Sequence, residues 1–345
     1  MKILFKICLL LLTLNSTCYA NNFDVTKSKK ITKEFKTAKD VTVKVDNKYG
    51  SAVFELWDNN SVEYTVEIKV GADSEKKSQE LLDNIQIIFS EGGNMVQAAT
   101  NFKSSSNYSK ELQIKYTVKI PRNAKVDVEQ KYGNILIPEL YNSLNLICKY
   151  GSITIGTLHH KSNNLKLDYV TGSKIEDLNY INIEMKYSSL QVEKGNYLVI
   201  KGNYNNFKFN NIGTFNTETN YSTFKINQVQ KIEINGNYLT IDLLKIGKEA
   251  VIKSNYSTIK LTPDLHTELL QTIGNYGNVY VNNLELIPFN FETKGQHINL
   301  KPAMELDYSL KSKTNTSIEY KAIYKNNPKL KIDIKGNYTN IYLKK

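Results

Sequence analysis

Four histidines, three cysteines and a thin scatter of carboxylates are the groups with which this chain could do acid–base, metal or nucleophilic chemistry. His159 and His160 are adjacent in a turn-like stretch with no third ligand at metal spacing, and read as a solvent-exposed pair rather than a zinc site. His266 and His297 stand alone. Of Cys8, Cys18 and Cys148, only the last survives a leader cleavage after Ala20, which excludes an intramolecular disulfide. Cys148 lies on an apolar side of its segment, with no histidine or carboxylate at a fixed distance, and reads as a buried, inert thiol. The chain has no G-x-S-x-G, no glycine-rich phosphate loop and no CxxC pair. Breaking a glycosidic bond needs carboxylates gathered on one face. Here Glu184, Glu218, Glu233 and Asp242 fall at different places in a sequence repeat. Glu218 and Glu233, from neighbouring repeats, are the one pair that keeps a β-helix carbohydrate-active enzyme (a polysaccharide lyase or hydrolase) open as an alternative. No catalytic, cofactor-binding or metal residue is assigned, no cofactor is expected, and the chain reads as a non-enzyme.

The regular feature is aromatic. QKYGNILI at 130–137, CKYGSITI at 148–155, MKYSSLQV at 185–192, GNYNNFKF at 202–209, TNYSTFKI at 219–226, GNYLTIDL at 236–243, SNYSTIKL at 254–261 and GNYGNVYV at 274–281 are variants of one phrase. By subtraction, Tyr132, Tyr150, Tyr169, Tyr187, Tyr204, Tyr221, Tyr238, Tyr256 and Tyr276 are 17–20 residues apart, with Tyr49 and Tyr338 in outlying copies. So short and steady a period predicts a β-solenoid, in which no single coil can bury its own apolar face. Counted from each Tyr, apolar residues recur at minus six and minus four (Leu144 and Leu146, Ile232 and Ile234) and small ones at minus two (Gly202, Gly236, Gly274). Apolar residues return at plus three and plus five (Ile153 and Ile155, Phe207 and Phe209) and at plus eight (Leu158, Ile212, Ile246). Strand alternation puts minus six through zero on one face, with a corner at plus one and plus two. That parity sends the Tyr ring inward beside the corner; an outward aromatic strip for stacking sugars or bases is the alternative. The preceding position is Lys131, Lys149, Asp168 and Lys186, then Asn203, Asn220, Asn237, Asn255, Asn275 and Asn337, a run that predicts an Asn ladder bonding coil to coil. At plus four, Lys208, Lys225, Asp242 and Lys260 form a modest basic stripe, read as a solvated face.

These elements suggest a linear plan. Residues 1–20 have the basic start, short apolar run and small final residue of a signal peptide, and the run is too short to span a bilayer. Lipid anchoring at Cys18 is the alternative to simple cleavage. Residues 21–40 read as a polar, Lys-rich tether. Residues 41–130 read as a β-rich cap: an opening coil at Tyr49, then a stretch that breaks the period, in which SEKKSQELLDNI (74–85) is a short amphipathic helix. Residues 131–300 are the regular solenoid and 301–345 degenerate terminal coils, with His297 in a Tyr place and one loosened coil between it and Tyr338. The fold class is all-β: a single-stranded β-solenoid of about 12 coils with a period of 17–21 residues, plus an N-terminal β-rich insertion carrying one short helix. At the spacing of adjacent strands such a stack is a rod of roughly 55 Å.

With 41% hydrophobic residues and few Gly or Pro the chain is not disordered. Its net charge of +11 suits an acidic polymer, or simply a Lys-rich solubilising surface. Export argues against a nucleic-acid partner, and no later segment is apolar for long enough to cross a membrane as a helix. The leader, the mixed N-terminal part and the K/N-Y-G/S-x-I-x-I coils at 131–137, 149–155 and 255–261 resemble the putative-adhesin β-strand-repeat family, exported β-solenoid proteins of unknown function common in Bacteroidetes. The resemblance covers most of the chain after the leader. It implies a right-handed-type solenoid in the cell envelope or at the surface, and it transfers no binding residue. The expectation is an exported protein of the periplasm, outer-membrane surface or extracellular space. It would act as a monomeric, adhesin-like scaffold or binding surface for an envelope protein or glycan; a periplasmic partner in envelope sensing is the third reading.

Overall fold

β-branched and aromatic residues alternate with polar ones through most of the chain, and the protein is correspondingly almost all strand. A computed structural model describes residues 25–104 and 111–345, so the leader read at 1–20 lies outside the described residues. β1 (Val25–Lys36), β2 (Thr42–Trp57) and β3 (Ser61–Ala72) precede the single helix among the described residues, α1 (Glu75–Asn84). β4 (Ile85–Gly92), β5 (Met95–Phe102) and β6 (Glu111–Pro121) follow. Ser74 caps α1, its Oγ accepting a bond from the Lys77 amide at 3.3 Å.

The first coil is β2, bent at Tyr49. Its outer edge would template pairing with another chain if left open. β5 covers one half (Thr42–Asp46 against Met95–Ala99) and β6 the other (Gly50–Trp57 against Ile114–Pro121), both parallel. β4 closes antiparallel on β5, β3 on β6, and β1 on β3. The stretch read as a tether is therefore a strand over residues 25–36. Phe35 is buried and Ile31 packs against the core, while Lys29, Lys30, Lys33 and Lys36 are exposed at the sheet's outer edge. Lysines outnumber the apolar anchors Ile31 and Phe35 in this strand, which is why its composition resembles a tether.

β7 (Lys125–Leu140), β8 (Leu144–Leu158), β9 (Asn163–Val170), β10 (Ser173–Lys186), β11 (Ser189–Asn203), β12 (Asn206–Asn220), β13 (Thr223–Asn237) and β14 (Thr240–Asn255) stack parallel, each on the next. β15 (Thr258–Pro263), β16 (Leu269–Ile273) and β17 (Asn278–Val281) continue the stack. The register sets like upon like: Leu190, Phe207, Phe224, Ile241, Ile259 and Val279 form one buried column, and Leu198, Phe215, Ile232, Ala250 and Leu270 another. Each such aliphatic or aromatic side chain withdrawn from water contributes about 1.5–3 kcal/mol.

The far end departs from chain order. β18 (Phe289–Gln296) and β19 (Asn299–Pro302) bend at His297, β20 (Asp307–Lys313) and β21 (Ser317–Tyr324) form a hairpin, and β22 (Leu330–Lys335) and β23 (Asn340–Leu343) bend at Tyr338. β22 pairs with β16 on one side and β18 on the other, and β23 with β17 and β19. The Tyr338 coil is thus slotted between those of Tyr276 and His297. The loosened coil expected between His297 and Tyr338 is corrected: residues 307–324 are an antiparallel hairpin, and β21 covers β18. The reason is local. β21 buries Ile318, Tyr320 and Ala322 by plain alternation and has no corner phrase, whereas KGNYTN has a complete one and can stack between two coils. No helix among the described residues is long and apolar enough to cross a membrane.

Candidate functional site

The tyrosine is itself the corner. All eleven repeat tyrosines, and His297, have φ between 49° and 62°, the left-handed region that a non-glycine residue enters at a cost. That conformation turns the ring outward and the next side chain inward. Ser188, Asn205, Ser222, Leu239, Ser257 and Thr339, each directly after a tyrosine, are buried, while the rings from Tyr132 to Tyr338 are 47–50% exposed. The expectation of inward tyrosines is overturned. The change of parity falls on the tyrosine rather than after it, because spacing alone does not carry the sign of φ.

The buried residue after the tyrosine makes the bend affordable in hydrogen bonds. Ser222 Oγ accepts from the Asn205 amide at 3.1 Å and donates to the Asn220 carbonyl at 3.0 Å. Ser188 and Ser257 do the same, accepting from Val170 and Leu239 and donating to Lys186 and Asn255. The Ser that recurs directly after Tyr187, Tyr221 and Tyr256 is the sequence signal for this bond. At minus two, Gly202 has φ 145° and lies so close to the coil before it that a Cβ would stand 1.7 Å from the Met185 oxygen.

The rings form one stack: Tyr49, Tyr132, Tyr150, Tyr169, Tyr187, Tyr204, Tyr221, Tyr238, Tyr256, Tyr276, Tyr338 and His297, with centroids 4.6–5.3 Å apart and planes within 14°. The Phe102 ring meets the outer end edge-on at Tyr49. Ring faces are therefore taken by neighbouring rings, and what faces solvent is a row of edges and hydroxyls. Sugars or bases have no free face between rungs on which to stack.

Beside the rings runs the line of Asn203, Asn220, Asn237, Asn255, Asn275 and Asn337. Asn203 Oδ1 accepts from both the backbone amide and Nδ2 of Asn220, at 2.9 and 3.1 Å. Asn220, Asn237 and Asn255 repeat this toward Asn237, Asn255 and Asn275. Asn275 Oδ1 takes the Asn337 amide at 2.8 Å, and Asn337 Oδ1 the Gln296 amide at 2.8 Å. Lys149 and Asp168 hold the same position in earlier coils as an ion pair of 3.7 Å.

Further from the rings, positions minus three and minus five line two adjoining hollows, and positions minus three to minus one line others along the Asn row. The largest encloses about 520 Å³ and spans four coils, with Asn145, Asn164, Asn182 and Val199 on its floor and Lys166 and Glu184 beside them. Its amides are chained: Asn164 Nδ2 donates to Asn145 Oδ1 at 3.2 Å, and Asn182 Nδ2 to Asn164 Oδ1 at 3.4 Å. On the flank away from the ladder, Tyr180 and Tyr197 stack at 5.2 Å; the Tyr180 hydroxyl donates to Asn182 Oδ1, and Asn216 Nδ2 donates to the Tyr197 hydroxyl. Charges in this surface neutralise each other: Lys166 with Glu184 at 4.0 Å, Lys201 with Glu218 at 3.2 Å and Lys253 with Glu233 at 3.8 Å. Glu218 and Glu233 do line one hollow together, but each carboxylate is committed to a lysine.

Three solved structures can be set beside this geometry. They are a putative cell adhesion protein from Clostridium sporogenes (8% identity, 92% of this chain and 99% of that one, TM-score 0.21), a putative adhesin from Bacteroides fragilis (11%, 91% and 97%, 0.28) and a putative lipid binding protein from Parabacteroides distasonis (9%, 91% and 96%, 0.32). The chain is similar, loosely, to putative adhesins. TM-scores this low carry no residue role and no ligand across. Neither a protein-family model nor a curated protein matches the sequence.

The remaining chemistry-bearing residues stay apart from this surface. His159 Nε2 lies 2.9 Å from Glu139 Oε1 and its ring stacks on Tyr141 at 4.4 Å. The bonds from His159 and Tyr141 hold the Glu139 carboxyl below its ordinary range. His160 Nδ1 accepts from the Ser162 amide, and the His266 amide donates to Asp264. Cys148 is buried and its thiol is pushed up to about 12 by desolvation. Lys208, Lys225, Asp242 and Lys260 line up on the other flank of the ladder, continued by Tyr280 and Tyr342. Among the described residues no three His, Cys, Asp or Glu side chains gather where a metal ion could sit.

Proposed function

We propose that this protein is a non-enzymatic, exported envelope or surface component, an adhesin-like scaffold whose outward rows are its working surface. The observation that carries the reading is the continuity of the face. One ring row runs through every coil, an amide row runs beside it from Asn203 to Asn337, and the acids in the hollows alongside are already paired with lysines. Catalysis asks for the opposite, a local departure from the repeat that sets two carboxyls in different environments. The basic, short-apolar leader at 1–20 supports export. The test has two arms. Expressed with its leader, the protein should begin at Asn21 by intact mass and leave the cytoplasm; retention with Met1 in place would overturn export. Purified, it should release neither reducing ends nor unsaturated products from a polysaccharide panel. Turnover abolished by Glu218→Gln or Glu233→Gln would overturn the non-enzymatic reading.

A further inference from the structure

We infer that the Asn-floored hollow between the tyrosine ladder and the Tyr180/Tyr197 pair binds an uncharged, extended, β-linked polysaccharide laid along the solenoid axis. This deepens the reading of the protein as a non-catalytic binding surface and rests on it. The first argument is repeat length. The amides of Asn145, Asn164 and Asn182 recur once per coil before Val199 takes the place, and adjacent rings mark that step at 4.7–5.2 Å over these coils. A pyranose linked through equatorial oxygens at opposite ring positions advances by about one such rung per sugar, and successive sugars are turned by about half a turn, so every second sugar, two rungs on, presents the same edge to the amide row. An extended peptide advances about 3.3 Å per residue and repeats a face at about twice that, out of step with the rungs.

The second argument is hydrogen-bond capacity. A side-chain amide has two N–H donors and an oxygen with two lone pairs. Within the chain Asn145, Asn164 and Asn182, the Asn164 amide spends one N–H and one lone pair along the axis. It keeps one donor and one acceptor, the pairing that vicinal sugar hydroxyls satisfy. Along the neighbouring Asn203–Asn255 line both lone pairs are used, leaving one N–H per coil. Ile147 and Val199 in the same hollow supply apolar contact for the carbon face of a ring. The third argument is charge. Lys166 and Lys201, the lysines lining the hollow, are each paired with a glutamate, so it offers no line of free cations to a polyanion despite the net charge of +11.

The experiment is calorimetric titration of the chain, expressed without its leader, with neutral β-1,4-linked di-, tetra- and hexasaccharides of glucose, N-acetylglucosamine, mannose and xylose, with polygalacturonate as the acidic control. At least one neutral series should bind, with affinity rising tenfold or more from di- to hexasaccharide and little change in about 0.5 M salt. The double variant Asn164→Ala/Asn182→Ala should lose tenfold or more. Val199→Trp, which fills the hollow and leaves the amide chain intact, should lose as much while keeping the parent's melting temperature. Failure of every neutral hexasaccharide to bind overturns the inference, as does binding that both variants leave unchanged, or a preference for polygalacturonate that salt abolishes. Reducing ends are measured on the same samples: cleavage of a bound oligosaccharide would leave the glycan assignment standing and overturn the non-catalytic reading.

Discussion

A tyrosine held near φ +55° costs roughly 1–2 kcal/mol that glycine would avoid, and eleven corners here carry one. Each ring inside the ladder gains two stacked neighbours, worth about 0.5–1.5 kcal/mol apiece beyond their burial, so ladder and strain are of comparable size. Tyr221→Ala should therefore destabilise more than Tyr221→Gly, by about 0.5–1 kcal/mol, since both lose the stack and only alanine keeps the strain. Chemical denaturation of the two variants measures the difference, and alanine proving the more stable would contradict the left-handed corner. Asn237→Ala should cost about 1–3 kcal/mol, because the Asn255 amide loses its acceptor in a half-buried place. At this scale the sequence was informative about position and silent about side. The spacing located every corner and the Asn line, but alternation counted through a left-handed residue puts the ring on the wrong face. The amides at Asn145, Asn164 and Asn182 do not stand out in the sequence, because a row that is polar in any solenoid looks like ordinary solvated surface.

Among the elements, the coil is the unit of stability. Ile241 is fully buried in a column between Phe224 and Ile259, so Ile241→Asp buries an unpaired charge in mid-stack. A loss above about 4 kcal/mol is expected, read as a collapse of the melting transition. Cys148 reports on the same unit. Buried and with its thiol pushed up to about 12, it should resist a thiol reagent at pH 8 in the native protein and react once denaturant opens the coil. The first coil has its own titration. Asp46 sits opposite Glu129 of the next coil, and burial, then that carboxylate, raise its pKa above the usual 3.8. A carboxyl with a raised folded pKa weakens the fold where it is ionised, and the loss is recovered as pH falls through the folded pKa toward the unfolded one. The stability of Asp46→Asn relative to the parent should thus be greatest near neutrality and shrink on acidification; a gap that widens with acid would reverse the sign. The helix and the coils were legible because each has a period. The strand at 25–36 was not, because Ile31 and Phe35 are its main apolar anchors among many lysines.

For the molecule as a whole, the ends decide whether such a stack stays a monomer or becomes a fibre. One end is sealed by β5 and β6, with β1, β3 and β4 beyond them; the other by the hairpin on β18 and by the short β19, which closes in Pro302. The final coil is locked between two others that precede it in the chain, an order no repeat count could reveal, since 41 residues separate His297 from Tyr338 and two ordinary periods fill the same length. Both the ladder and the face proposed for glycan depend on outward rungs that follow this spatial order. Disulfide trapping between rung positions tests that most directly. Adjacent rungs stand about 4.8 Å apart, within reach of a disulfide, and alternate rungs about 10 Å apart, beyond it. Tyr276→Cys with Tyr338→Cys should cross-link readily under mild oxidation, and Tyr276→Cys with His297→Cys should not. The reverse result, or no cross-link in either pair, would contradict the stacking order and the outward ladder together.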